Sequence, residues 1–504
     1  MSRRAWLPML LMLLTAAVVL RTIFFVGIIG WDDVEYRDAS ARLISDDPVP
    51  RSLFGLRWGL TLPLAAVQAA GAGGERATAL VPLGYSLAGI LLAFALGRRL
   101  AGERAGLLAA LVLTILPLDV LAASDVHADL PASIFLALAV YLALCGEASR
   151  AAAHGWFALV GVSLAVATLT KESSLALAVV LVAWGVWRRW PFSVAVSALA
   201  GFVAVVAVDA AWLRWLTGDW LYRLSPAVTR LHRDHMLMLE PSHTWMLDYV
   251  SMLLNPLSGR FAEFAGVFYL VLGAAVIVVR TRTPVTRELA AWWGVLLVAF
   301  SLVPYDWSFT RPLFFHFPRT LQPLLLPFAL TVGLAVATRR PNRLAAPVLL
   351  GFAMFCGVGL WAAHFDYRQW AAIARQAAPV IDRAPADLPI VADPTSAALL
   401  RSLLPWRRDS IVTTDAGAPA DAALVLRDPL FIASALHHRR PVPAEMLTPP
   451  AGWQRVAVFE RPHRLRLRAW LSSSPSPRSA PSEVASLWRV GSNQQRAAIV
   501  EPTP

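Results

Sequence analysis

Residues 123–146 read ASDVHADLPASIFLALAVYLALCG: an acidic turn, a proline, and then a run to Gly146 that carries no charge. Coiled as a helix, such a run suits the hydrocarbon core of a bilayer, roughly 30 Å thick and crossed by about 20 apolar residues. The pattern recurs on both sides of it. Spans are expected at 5–29, 77–97, 104–122, 128–146, 155–169, 174–188, 191–215, 262–280, 288–304, 318–337 and 344–362. The composition agrees, because the 504 residues are 57% hydrophobic and 15% charged, against about 25% charged in a soluble domain. A water-soluble globule and a largely disordered chain are both excluded.

The net charge of +12 comes almost entirely from arginine. Nucleic acid is one reading of such a balance, but basic residues also collect in the cytoplasmic loops of membrane proteins. The second reading can be followed along the chain. With the N-terminus inside and each span crossing once, the inside loops hold Arg98, Arg99 and Arg104, then Arg150, then Arg188 and Arg189, then Arg280, Arg282 and Arg287, then Arg339, Arg340 and Arg343. All five are basic, so eleven spans with an outside tail are expected, in a plasma membrane, and no nucleic-acid partner. The first run, from about Trp6 to Gly30, exceeds the 7–15 residues of a signal-peptide core and is expected to stay as an uncleaved span. Residues 56–74 are apolar enough to cross, yet a crossing there would invert every later loop. They are expected as an interfacial helix on the outer surface, preceded by a short amphipathic helix at 34–45.

After Phe365 the apolar runs shorten. Segments 388–393, 410–415 and 422–427 have the pattern of buried strands, with a helix at 395–404 capped by Thr395 or Ser396. Residues 453–459 and 463–470 are expected to form a hairpin. The organisation expected is a transmembrane domain over 1–364, a small α/β domain over 365–470, and a low-complexity, disordered tail over 471–504. The two cysteines, Cys145 and Cys356, lie in apolar runs and suggest neither a disulfide nor a zinc site.

The candidate chemistry gathers on the outer face. Gly30-Trp-Asp32-Asp33-Val-Glu35-Tyr36 places three acids within four residues where the first span ends. They either cap a short helix or supply a general base at the membrane boundary. Asp125 and Asp129 form a second acidic turn, which could cap the next span or hold a divalent cation through oxygen ligands. No cofactor is firmly expected. Lys171, the only lysine in the chain, sits in the turn Leu169-Thr-Lys-Glu172. It either snorkels to headgroups or neutralises a phosphate. His232 and His235, with His243 nearby, have a weak metal spacing, better read as a solvated amphipathic helix. Arg311, His316 and Arg319 close the last outer loop, where arginine either anchors the helix end or binds phosphate. No metal site is expected among these residues.

Taken in order, several of these stretches resemble the GT-C superfamily of polyprenyl-phosphate-sugar-dependent glycosyltransferases, nearest the protein mannosyltransferase and lipid A aminoarabinose transferase group (glycosyltransferase family 39-like). The pieces are Asp32-Asp-Val-Glu-Tyr36, the Gly97–Ala110 turn, Asp129–Tyr141, Leu169-Thr-Lys171 and the Phe317–Pro327 stretch, spread over about 1–340. The resemblance implies a GT-C-like helical membrane fold of about eleven spans, with interfacial helices in the first outer loop, beside the small C-terminal α/β domain. It implies an inverting transfer from a polyprenyl-phosphate-linked sugar to an extracytoplasmic protein, lipid or polysaccharide. The first-loop carboxylate is then the base, carried onto Asp32 or Asp33. Asp129, with Asp125, matches the second acidic position. Lys171 and Arg319, with His316 just before the Phe317–Pro327 stretch, would bind the donor phosphate. The pair is Asp-Asp where the family often has Asp-Glu, which leaves Glu35 as a third candidate for the base. A transporter would place charges near the midplane of repeated halves, and no repeat is visible. A non-catalytic scaffold or sensor on the same fold is the remaining alternative.

Overall fold

A computed structural model of the chain describes residues 6–30, 32–230, 244–256, 260–280, 284–304, 310–312, 317–338, 345–414, 423–432, 442–460 and 485–490. Two compact units emerge. Unit 1 comprises Met1–Phe25, Glu35–Ala72 and Ala77–His364, and unit 2 comprises Val26–Val34, Gly73–Arg76 and Phe365–Pro504.

The helices run in the order α1 (Trp6–Ile23), α2 (Asp32–Leu43), α3 (Trp58–Ala69), α4 (Glu75–Thr78), α5 (Leu80–Ala101), α6 (Glu103–Ile115), α7 (Pro117–Ala122), α8 (Asp129–Ala148), α9 (Ala153–Thr170), α10 (Ala176–Trp187) and α11 (Phe192–Thr217). They continue with α12 (Asp248–Leu254), α13 (Phe261–Phe264), α14 (Val267–Arg280), α15 (Pro284–Leu302), α16 (Gln322–Thr338) and α17 (Ala345–Trp370). Each of the expected spans is helical over most of its length. Among the described residues, seven helices are long and apolar enough to cross a membrane: those within 6–23, 75–101, 129–148, 153–170, 192–217, 318–337 and 347–370. The segment expected to cross at 104–122 breaks at Leu116, whose extended backbone is what the following Pro117 imposes. α2 and α3 occupy the two stretches expected as short helices of the first outer loop. α3 has 12 residues, about 18 Å at 1.5 Å per residue, which is shorter than a bilayer core. It buries Leu60 and Leu64 in a cluster with Tyr36, Val81, Val126 and Ala128.

Exposed apolar side chains such as Val179, Val182, Val186, Phe192 and Trp215 line α10 and α11, as expected of helices whose outer faces meet lipid. Where helices meet each other, small residues allow close approach, the pattern of membrane interfaces. A Cβ on Gly161 of α9 would stand 1.7 Å from the Ala198 carbonyl oxygen of α11, and one on Gly201 would stand 2.1 Å from that of Ala158. The Gly97–Ala110 turn has the same logic. A Cβ on Gly97 would lie 2.7 Å from Gly106 Cα, and Gly102 turns the chain at φ +89°.

Unit 2 holds a sheet ordered β2-β1-β3-β5-β4, with β1 (Ile390–Ala392), β2 (Ile411–Thr413), β3 (Ala423–Arg427), β4 (Gln454–Phe459) and β5 (Ala485–Val490). β1 is parallel to β2 and β3, while β5 runs antiparallel to β3 and β4. The helix Ala372–Asp382 buries Ile373, Ala377 and Ile381, which share a core with Ile390, Leu399 and Leu426. Two expectations are corrected here. The helix at Pro394–Leu403 is capped by Asp393, whose carboxylate accepts from the amides of Thr395 and Ser396; with Pro394 at the first helical position, the cap falls one residue ahead of it. β5 forms a strand inside the stretch expected as a disordered tail and pairs with β4; the hairpin partner expected for β4, 463–470, lies outside the described residues. Ala485, Ser486 and Leu487 are buried, as suits a strand that lies inside the sheet between β3 and β4.

The α9–α11 contact gives a test of the packing. Gly161→Val should lower the thermal midpoint in detergent, since overpacking of this kind costs about 1–3 kcal/mol. Gly273→Val, where a Cβ meets nothing within 4 Å, should leave it unchanged.

Candidate functional site

In unit 1, three helix ends bring charges together. α8 begins at Asp129, Lys171 follows the end of α9, and the turn Pro318–Leu321 carries Arg319 into α16. Lys171 Nζ lies 2.6 Å from Asp129 Oδ1, a charge-assisted contact. His127 stands between two carboxylates, with Nε2 3.8 Å from Asp125 Oδ2 and Nδ1 3.9 Å from Asp129 Oδ2. Asp125, His127 and Asp129 are all buried, so the acidic turn belongs to the packed interior of the unit.

Arg57, just before α3, reaches the same place. Its Nη2 is 3.6 Å from Glu172 Oε2, its Nη1 donates to the Tyr36 hydroxyl, and its guanidinium lies over the Tyr36 and Phe54 rings. Burial pulls the Lys171 ammonium below lysine's ordinary range; Asp129 opposes this, and the guanidiniums of Arg57 and Arg319 add to it. The positive charges of Arg57 and Arg319 thus act on the Lys171 ammonium, and a bound anion would offset that repulsion. Tyr249, fully buried on α12, is hydrogen-bonded with Thr320 beside Arg319, and burial pushes its phenol up.

Unit 2 contains two of the three first-loop acids, Asp32 and Asp33, while Glu35 belongs to unit 1. Asp33 is buried, and its Oδ2 accepts from the amides of Ile29 at 2.7 Å and Gly30 at 3.2 Å. Gly30 adopts φ +95°, a conformation that favours glycine. The same segment is clamped by an ion pair between Arg375 and Glu75. Glu75 accepts from the Ile28 amide at 2.7 Å, and Arg375 donates to the carbonyls of Val26 and Ile28, each at 3.1 Å. Asp32, at the start of α2, is half-buried.

Of the residues singled out in the sequence, Asp125, Asp129, Lys171 and Arg319 share unit 1. Asp32 and Asp33 lie in unit 2. Glu35 is exposed on α2, where it borders a groove with Asp38, Arg42 and Arg51. His316, His232, His235 and His243 lie outside the described residues. Among the described residues no three His, Cys, Asp or Glu side chains group as metal ligands. Arg57, His127 and Tyr249 were not singled out. The available signal for His127 was its position midway between Asp125 and Asp129; Arg57 and Tyr249 carry no local one.

Comparison with known proteins follows the same lines. Residues 65–215 match a family model described as Dolichyl-phosphate-mannose-protein mannosyltransferase. No curated protein matches the chain. The structure is similar to that of ArnT from Cupriavidus metallidurans in the apo state, at 16% identity and TM-score 0.57, covering 95% of this chain and 97% of that one. ArnT bound to undecaprenyl phosphate aligns with the same identity and score over 97% and 98%. An Archaeoglobus fulgidus oligosaccharyltransferase in the apo form aligns at 12% identity and TM-score 0.51, over 80% of this chain and 64% of that one. These likenesses establish the GT-C fold.

The Lys171–Asp129 contact can be dissected by a double-mutant cycle. Lys171→Met should lower the thermal midpoint, because it leaves Asp129 buried without its ammonium. Adding Asp129→Asn should recover much of that loss. Additive effects of the two changes would show that the pair is not coupled.

Proposed function

We propose that this GT-C-fold chain is an integral-membrane, inverting glycosyltransferase that moves a sugar from a polyprenyl-phosphate donor to an extracytoplasmic acceptor. The observation that carries the reading is the convergence of Lys171, Arg57 and Arg319 at one end of a helical bundle, with Lys171 held against Asp129. A cluster of preplaced cations suits a phosphate that gains charge as its bond to the sugar breaks. The undecaprenyl phosphate bound by the similar ArnT structure supports a lipid-linked phosphate as the leaving group.

In this mechanism an acceptor hydroxyl or amine attacks the anomeric carbon and inverts it. The acceptor's proton passes to a first-loop carboxylate. The bond from the anomeric carbon to the phosphate oxygen breaks, and its electron pair leaves with the phosphate, stabilised by Lys171 and Arg319. Asp33 is buried and already accepts two backbone amides, which favours the more accessible Asp32 as the base. Asp129 orients Lys171, with His127 between it and Asp125. On this reading the chain crosses the plasma membrane eleven times, once at each expected span, with the basic turns in the cytoplasm and the site facing outward.

Two measurements test the activity. Purified protein incubated with radiolabelled polyprenyl-phosphate sugars should release lipid phosphate, and failure across a broad donor panel counts against the reading. Asp32→Asn should reduce turnover by roughly two to four powers of ten while the protein still folds, whereas Asp33→Asn should be mild, because the amide oxygen still accepts from the backbone. Full turnover by Asp32→Asn removes it as the base. For the topology, a cysteine at Thr283, with Cys145 and Cys356 replaced, should resist an impermeant reagent in intact cells. Its labelling would reverse the assigned orientation.

A further inference from the structure

Unit 1 contains a second buried polar network, centred on Asp119 of α7. Asp119 Oδ2 accepts from Arg21 Nη2 at 2.5 Å and from the Ser86 hydroxyl at 2.6 Å, while Oδ1 accepts from Gln322 Nε2 at 3.0 Å. Arg21 also donates to Ser86 Oγ at 2.7 Å and to the carbonyls of Ala17 and Thr114, each at 3.2 Å. Arg21, Ser86, Asp119 and Gln322 are each at most 2% exposed. Such a buried ion pair is seldom more stable than an apolar replacement of similar volume, so its place in an apolar core needs another account.

Its position supplies one. Asp119 lies six residues before Asp125 and ten before Asp129, and the whole connection 123–128 is buried. Gln322 is the first residue of α16 and lies three residues after Arg319. A single carboxylate therefore ties the turn that carries Asp125, His127 and Asp129 to the turn that carries Arg319. We propose that Gln322 and Asp119 are positioning residues that hold the Arg319 turn in register with the Asp129–Lys171 pair. The proposal rests on the phosphate-binding role given to Arg319 and Lys171 above.

Gln322 is the place to test it. Replacing Asp119 would strand Arg21 and risk the fold, whereas Gln322→Met leaves Arg21 and Ser86 on Asp119. It also removes Gln322 Oε1, which is buried with no hydrogen-bond partner among the described residues. Because it leaves the buried Asp119 Oδ1 without its donor, the variant should lower the thermal midpoint modestly while the protein stays folded and exchange elsewhere in unit 1 is unchanged. Amide exchange over 317–321 should nevertheless quicken, and undecaprenyl phosphate should bind at least tenfold more weakly, about 1.4 kcal/mol. Quicker exchange with unchanged affinity makes the link purely structural and overturns the proposal, as does unchanged exchange. If the native protein binds no undecaprenyl phosphate, the functional reading falls by itself, and the proposed role at a phosphate site falls with it. Exchange over 317–321 then reports separately whether the tether between the two turns exists.

Discussion

Burying a charge in an apolar bundle costs several kcal/mol per ion after relaxation, and unit 1 meets that cost by bringing opposite charges together. Lys171 meets Asp129, Arg21 meets Asp119, Arg223 meets Asp209 and Arg188 meets Glu288. Each couple joins separate elements of the unit. Arg223 grips Asp209 of α11 with two donors, while Trp58 Nε1 at the start of α3 donates to the same carboxylate. Arg188 after α10 joins Glu288 of α15 and Glu147 of α8. The pairing requirement therefore fixes which helix ends are neighbours, and the candidate site is built at one of these joins.

Exposure within the site pair is unequal. The Lys171 side chain is 18% exposed and that of Asp129 4%. An anion can approach the ammonium without the carboxylate being uncovered, so Asp129 keeps its partner while Lys171 gains a second. A lysine suits this arrangement because its three donors can divide between two acceptors. Arg57 is more constrained: its guanidinium is fixed by the Tyr36 hydroxyl and by two aromatic faces. It adds charge to the cluster from a set position.

The helical spans were legible because bilayer thickness imposes a length and a composition on each segment separately. The acidic turns and the lone lysine were legible for a related reason, since charge stands out against apolar runs. Contacts between distant segments were not. Arg57 is 115 residues from Glu172, and nothing around either names the other. The pairing of β4 with residues 485–490 was not legible either, because a long Ser- and Pro-rich stretch separates the two strands. Asp393 was passed over as a cap because the two hydroxyl residues just beyond it, Thr395 and Ser396, are also good cap types. The structure uses their amides and the aspartate's oxygen.

The pair Asp32-Asp33 shows how adjacent acids separate once the backbone is in place. Both stand at a helix start, where free amides favour negative charge. Asp33 is buried and turns back onto the Ile29 and Gly30 amides, so protonating its Oδ2 would cost those hydrogen bonds. The same segment is held by Glu75 and Arg375, and the local fold draws on Asp33 as one of several anchors. Asp32 is half-buried, which leaves part of its surface open to an incoming group. Under the proposed mechanism the base must meet its substrate, accept a proton and give it up afterwards, and the more accessible acid suits that task better. The neighbouring acid then has a distinct physical role: it holds the turn from which Asp32 is presented.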